Sequence, residues 1–250
     1  MRFLKSLLFT TLMFVSIPPF AVAVVLALPL ERKVGYVIAA SWARFVLMLL
    51  RVIVGLRYQV EGTENIPKRN TVVLWKHQST FETLVQLLLI PQQSWVLKRE
   101  LLWIPFFGWG LKALSPIAID RNAGRSAVEQ VIEQGSRRLA EGLWINIFPE
   151  GTRMAPGSTR RYGLSGVLLA QANDRSVLPV AHNAGEFWPR RGWMKKPGVV
   201  RIRFGPLVET AGREAREVNR EVQAWIESTV KELGPRGGCS ERQDRANATV

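Results

Sequence analysis

The chain is poor in the residues that build metal and disulfide chemistry. It has one cysteine, Cys239, and two histidines, His77 and His182. One cysteine excludes an internal disulfide and a Cys-rich zinc site. Two histidines leave a multi-histidine metal site short of ligands, so no metal is expected. No G-x-x-x-x-G-K-S/T run occurs, which excludes a Walker phosphate loop, and no internal repeat is present. Acidic residues are scarce beside basic ones: 20 against 34, a formal net charge of +14. That excess points to a polyanionic partner, either nucleic acid or an anionic membrane face. With 250 residues, 47% hydrophobic and 22% charged, the composition is that of a globular chain and excludes collagen, coiled coil or disorder as the main architecture.

Charge is missing altogether from Leu7 to Leu30. As a helix at ~1.5 Å per residue this run spans about 36 Å, longer than the ~30 Å core of a bilayer. Pro18 and Pro19 fall inside it and predict a kink or a hairpin there. A second apolar stretch, Val34 to Leu56, carries Arg44 and Arg51. Two turns apart, they share one helix face, which suits a helix in the headgroup layer or one whose charges meet protein. Arg2 and Lys5 precede the first run, and Arg32 and Lys33 follow it. By the positive-inside rule both ends prefer the cytoplasm, which a re-entrant or monotopic anchor satisfies and a single span does not. A cleaved signal peptide competes, with Ala21-Val22-Ala23 as its cleavage site. The continuation of the run through Leu30, and the second run behind it, argue against cleavage.

Beyond Leu56 short apolar runs rich in β-formers alternate with helical patterns. Thr71–Trp75, Ser94–Leu97, Pro116–Ile119, Leu143–Phe148, Val177–Ala181 and Val199–Phe204 read as strands. Thr80–Leu89, Arg125–Ala140 and Gly163–Ala172 read as helices, as does a late segment with its apolar stripe on Val218, Val222, Trp225 and Ile226. This alternation predicts an α/β fold with a mostly parallel sheet flanked by helices, behind an N-terminal hydrophobic helical anchor. The expected division is an anchor at 1–56, a main domain at 57–233 and a disordered tail at 234–250.

Several predicted strands end in polar groups, and open α/β sheets build sites at the carboxyl ends of their strands. After the first comes Lys76-His77-Gln78-Ser79-Thr80-Phe81-Glu82. His77 in the turn and Glu82 in the first helical turn can pair, fixing the ring tautomer and leaving the second nitrogen as a base. Ser79 to Glu82 is also a capping box, in which Glu82 only caps the helix. Another strand ends in Phe148-Pro149-Glu150-Gly151-Thr152-Arg153, where backbone N–H groups, a hydroxyl and a forked cation suit a phosphate, or where a surface turn simply carries a solvated arginine. Asp120 and Arg121, and His182 and Asn183, close two more strands. Phe187 to Lys196 mixes tryptophan with cations, the composition of an interfacial contact or of a solvated loop.

In order and spacing these blocks resemble the 1-acylglycerol-3-phosphate acyltransferase family, the lysophosphatidic acid acyltransferases of phospholipid synthesis. They read KHQSTFET at 76–83, SPIAIDR at 115–121, FPEGTR at 148–153 and VLPVAHNAG at 177–185. KRELLWIPFFGWGL at 98–111 is similar to the family's stretch between the first two blocks. The resemblance covers roughly residues 50 to 210. Two departures stand out. The commonest first block is H-x4-D, and here Glu82 supplies the carboxylate on a longer arm. Gly163 follows Tyr162 where lysine is frequent, so no role is carried to position 163.

The resemblance implies transfer of a fatty acyl group from a thioester, acyl-CoA or acyl-ACP, to the sn-2 hydroxyl of 1-acylglycerol-3-phosphate, giving phosphatidic acid. It implies His77 as general base and Glu82 as the group that orients it. Lys98, Arg121, Gly151, Thr152 and Arg153 are the implied phosphate ligands, with Glu150 shaping the turn. No bound cofactor is implied, since the thioester is a consumed substrate. Direct transfer needs no acyl-enzyme at Ser79, and the oxyanion hole is left open. The expected partners are lysophosphatidic acid, the acyl donor and anionic membrane lipids, at a bacterial inner membrane with the site facing the cytoplasm. Other readings stay open: a different lyso-lipid acceptor such as a lyso-ornithine lipid, and a secreted His–Glu hydrolase. A nucleic-acid partner is not expected, because no binding motif is present and the uncharged N-terminal run would have no purpose.

Overall fold

The computed structural model of the protein describes residues 1–120 and 123–234. Arg121 and residues 235–250, which hold nearly all of the expected tail, lie outside the described residues. Two long helices, α1 (Arg2–Leu26) and α2 (Arg32–Leu49), lead through a π-helical turn at Leu50–Val54 into β1 (Leu56–Glu61). There follow β2 (Val72–Trp75), α3 (Phe81–Leu89), β3 (Gln93–Lys98), α4 (Phe107–Ala113), β4 (Ile117–Ile119), α5 (Arg125–Ala140), β5 (Trp144–Ile147), α6 (Ser165–Gln171), β6 (Val177–His182), β7 (Gly198–Phe204) and α7 (Ala215–Leu233).

The strands form one sheet in the order β1-β7-β6-β2-β5-β3-β4. All neighbours are parallel except β6 and β7, so the sheet is mostly parallel, and β2 sits at its centre. Period-2 alternation sends its side chains to two cores. Val73 and Trp75 face a cluster with α3 and the hairpin, while Val72 and Leu74 face α5, α6 and α7. The α7 stripe predicted at Val218, Val222 and Ile226 is fully buried there.

The hairpin contributes to the same cluster as the sheet: Phe9, Met13, Val46, Leu47, Leu50 and Val54 pack with Val180, Val200 and Phe204. The inner face of α1 recurs at Ser6, Phe9, Met13, Ser16 and Val24, helical spacing throughout. The chain does not reverse at Pro18 and Pro19; the helix runs through both, and the hairpin turn falls between Leu26 and Arg32. Each proline removes only its own bond to the residue four back. Buried contacts on either side, Phe9 and Met13 before and Ala21 and Val24 after, hold the helix together.

Among the described residues, β1, the 3-10 turns and α4 escaped the sequence reading. β1 is an edge strand whose Arg57, Gln59 and Glu61 break the apolar signal. The segment at 98–111 forms a 3-10 turn, Arg99–Trp103, and α4, despite Pro105, Gly108 and Gly110. Gly110 lets α4 approach α1: a Cβ there would stand 3.4 Å from Ala21.

Candidate active site

β2, β3, β4, β5 and β6 run in parallel, so Trp75, Lys98, Ile119, Ile147 and His182 all close at one edge of the sheet. His77 stands over its centre. The His77 Nδ1 is 2.9 Å from Glu82 Oε1, and the same oxygen accepts the N–H groups of Gln78 at 2.9 Å and Ser79 at 2.7 Å. Glu82 thus holds the ring and the backbone of the turn before α3 with one atom, so it does not serve the backbone alone. With Nδ1 engaged, Nε2 is the ring nitrogen left for a substrate proton. Burial pushes the Glu82 carboxyl up, but His182, the bond to His77 and the Ser79 N–H outweigh it and hold it below its ordinary value.

The 148–154 loop grips His77. Phe148 stacks on the imidazole with ring centroids 3.9 Å apart. Glu150 Oε2 accepts the His77 N–H at 2.8 Å, and the Met154 N–H donates to the His77 carbonyl at 2.7 Å. Gly151 adopts φ +68° at the turn, a left-handed conformation that disfavours a side chain although space for a Cβ is open. Thr152 and Arg153 are half-buried beyond it. Arg190 donates to the Arg153 carbonyl at 3.0 Å.

Glu150 does not present its carboxylate to a ligand. It is fully turned inward, with Oε1 2.7 Å from the Lys76 Nζ. Lys76 also meets Glu227 of α7 at 2.8 Å and the Ser158 carbonyl at 3.1 Å, and Tyr162 Oη donates to Glu227 at 2.8 Å. Burial pushes the Glu150 carboxyl up to about 7 against the pull of Lys76 and the His77 N–H. The sequence reading assigned nothing to Lys76 or Glu227. The signal was present: a lysine directly after four buried strand residues needs a buried counter-charge.

His182 is fully buried behind the pair. It lies 2.8 Å from the Lys76 carbonyl through Nε2, and its Nδ1 accepts the Ala184 N–H at 3.2 Å. These partners define a neutral ring with the proton on Nε2. Burial lowers its pKa. Its Nε2 is 3.9 Å from Glu82 Oε2, an oxygen with no hydrogen-bond partner among the described residues. Lys98 closes β3 beside β4, with its Nζ 3.0 Å from Glu100 and nearly half exposed.

Residues 57–183 match the family model for acyltransferases. The chain belongs to the acyltransferase family. It is 44% identical to the 1-acyl-sn-glycerol-3-phosphate acyltransferase of Pseudomonas aeruginosa over 83% of this chain and 82% of that one. A Borreliella burgdorferi protein of the same name is 29% identical over 72% of each chain. The crystal structure of the 1-acyl-sn-glycerophosphate (LPA) acyltransferase PlsC from Thermotoga maritima superposes with a TM-score of 0.77 at 25% identity, covering 93% of this chain and 95% of that one. The mostly parallel α/β sheet with two apolar N-terminal helices is that acyltransferase fold.

Proposed function

We propose that the protein is a 1-acylglycerol-3-phosphate O-acyltransferase, moving a fatty acyl group from a thioester to lysophosphatidic acid to give phosphatidic acid. The observation that carries the chemistry is the His77–Glu82 pair, held at 2.9 Å with the ring locked against Phe148. The His77 Nε2 takes the proton of the sn-2 hydroxyl as its oxygen attacks the thioester carbonyl. Glu82 stabilises the imidazolium that forms. The tetrahedral intermediate then expels the thiolate, which takes the proton from His77, so the donor leaves as a free thiol. The group facing His77 is the substrate's own alcohol, as in a triad with the serine supplied from outside.

The substrate phosphate falls to the residues around the β5, β3 and β4 tips. Arg153 offers a forked cation, Thr152 a hydroxyl, Gly151 its backbone, and Lys98 a point charge. Arg121 joins them by the family resemblance. Glu150 supports the loop from beneath rather than touching phosphate. The donor is acyl-CoA or acyl-ACP.

The hairpin brings this edge to its lipid. Both of its helices, Arg2–Leu26 and Arg32–Val54, are long and apolar enough to cross a membrane. The outer face of α1 exposes Phe3, Leu4, Leu8, Phe14 and Val15, and the 98–111 segment beside it exposes Trp103 and Trp109. So large an apolar surface in one place marks a membrane contact. Arg44 and Arg51 are both exposed on the face of α2 and its π-helical extension, as headgroup ligands would be. A monotopic seat at the inner membrane, with the site toward the cytoplasm, fits the basic flanks.

The test is acyl transfer by the purified protein from labelled oleoyl-CoA and oleoyl-ACP to a panel of lyso-lipids. Phosphatidic acid is the expected product. Product from a lyso-ornithine lipid and none from lysophosphatidic acid would replace the acceptor, and no transfer with either donor would remove the activity.

A further inference from the structure

A cavity of about 420 Å³ opens between the first turn of α1, the π-helical turn before β1 and the loop before β7. It lies at the same sheet edge as His77. β7 starts at Gly198 and runs antiparallel to β6, pairing Ile202 with His182, so Pro197 and Gly55 reach the edge where β6 and β2 end. In the sheet order it is nonetheless separated from the β5, β3 and β4 tips by β6 and β2. Three cations line it, Arg2, Lys5 and Lys195, with no carboxylate among the lining residues. The segments that build it are themselves free of acid: no Asp or Glu precedes Glu31, and none lies between Glu186 and Glu209.

Lys195 is the unusual member. It is 5% exposed, and its Nζ donates to Thr10 Oγ1 at 2.6 Å and to the Trp193 carbonyl at 3.2 Å. The rings of Trp188 and Phe9 lie 5.2 and 5.8 Å from it. Every neighbour named here is neutral, so among the described residues the ammonium has no counter-charge, and burial lowers its pKa. Burying an ion without a partner is costly, and a site of this kind is completed by an anion from outside. The remaining lining, Val52, Val54 and Pro197, is apolar. Trp193 and Met194 stand exposed at 73% and 56% beside it. A free anion would have no use for that apolar wall.

We propose that this cavity holds the phosphate headgroup of an anionic phospholipid that is not the molecule being acylated. Arg2, Lys5 and Lys195 take the phosphate oxygens, and Val52, Val54 and Pro197 meet the glycerol and first methylenes. Such a lipid fixes the start of α1 against the loop that leads back to His182, and so sets how the catalytic edge meets the bilayer. The inference rests on the reading that the hairpin sits in a bilayer, and not on the acyl-transfer chemistry.

The test is equilibrium binding to the full-length protein in neutral detergent, with dioleoylphosphatidylglycerol, dioleoylphosphatidylcholine and inorganic phosphate as separate ligands. Wild type should bind the glycerol lipid well above the choline lipid. The exposed pair Arg2→Gln/Lys5→Gln should lose about 5-fold per cation, hence about 25-fold together, with choline-lipid binding unchanged. Lys195→Met should lose further affinity at an unaltered circular dichroism spectrum. Equal phosphatidylglycerol binding by wild type and the double variant would overturn the proposal. So would inorganic phosphate displacing the lipid at the lipid's own concentration, which would make the cavity a free-anion site. Binding is read without turnover, so a failed acyl-transfer assay leaves this result standing.

Discussion

The edge of the sheet around His77 and the α1–α2 hairpin bury their residues by opposite means. At the edge, charges go inward: Lys76 and Glu150 are both fully buried and Glu227 is mostly so, and hydrogen bonds reach His77 through ring, N–H and carbonyl. In α1, apolar groups go both ways. Phe9 and Met13 enter the core while Phe14 and Val15, a few residues on, face outward within a run that carries no charge. A polar network fixes positions, because each donor must meet its acceptor. An apolar surface fixes only which side is wet. Precision is therefore built where the proposed proton transfer occurs, and adhesion where the proposed lipid contact lies.

The largest effects should come from breaking the inward side of each region. Lys76→Met leaves Glu150 and Glu227 facing one another without a cation, and should cost about 3–5 kcal/mol in denaturant unfolding. Phe9→Ala, in the hairpin's packed face, should cost about 3–5 kcal/mol through a cavity alone. The two are separable, since only Lys76→Met should also change the circular dichroism of the aromatic groups around His77.

Arg153→Lys tests the phosphate end of the site. The charge stays but the fork is lost. A charge-assisted bond is worth about 1.5–3 kcal/mol, so kcat/KM should drop about 10- to 150-fold. In the proposed role Arg153 holds the phosphate in ground and transition states alike, so the change should appear first in the KM for the lyso-lipid. A defect confined to the thioester would move Arg153 to the donor site.

His182 gives a smaller effect that depends on pH. Burial holds it neutral, with its pKa below the ordinary 6.5. Below that value the unfolded chain takes up a proton that the folded chain refuses. The stability is full above 6.5 and declines as pH falls through it, by about 1.4 kcal/mol per pH unit for one group. Unfolding at pH 7.5 and 5.5 should show a shallower pH dependence for His182→Gln, which keeps a donor for the Lys76 carbonyl. The smallest effect is reserved for the outer face of α1. Phe14→Ser should shift unfolding in detergent by no more than about 0.5 kcal/mol while weakening vesicle binding. A large loss of stability would mean that Phe14 is packed against protein.

Much of this was legible in the sequence, and the gaps have physical causes. Strand and helix periodicity located β2 through β7 and most helices, because buried strands and amphipathic helices write their burial into local order. His77 and Glu82 were legible as a pair because five residues separate them. For Lys76 the sequence signals a buried charge but not its partner, since a contact with Glu227 across 151 positions leaves no local trace. α4 was hidden by its own glycines, which serve close approaches rather than helix propensity, Gly110 to α1 and Gly108 to the backbone of Leu101 and Leu102. The prolines of α1 do not mark the hairpin turn for the converse reason: tertiary packing on both sides outweighed a local preference.

In the proposed mechanism His77 and Glu82 act as one unit on the acceptor hydroxyl. This is tested most directly by initial rates of acyl transfer from oleoyl-CoA to lysophosphatidic acid for His77→Ala, Glu82→Gln and the double variant, each checked for folding by circular dichroism. His77→Ala should lose about 10²- to 10⁴-fold, Glu82→Gln should also fall well beyond its cost in stability, and the double variant should be no slower than His77→Ala alone. His77→Ala within a few-fold of wild type, or a double variant whose loss is the product of the two single losses, would contradict the account.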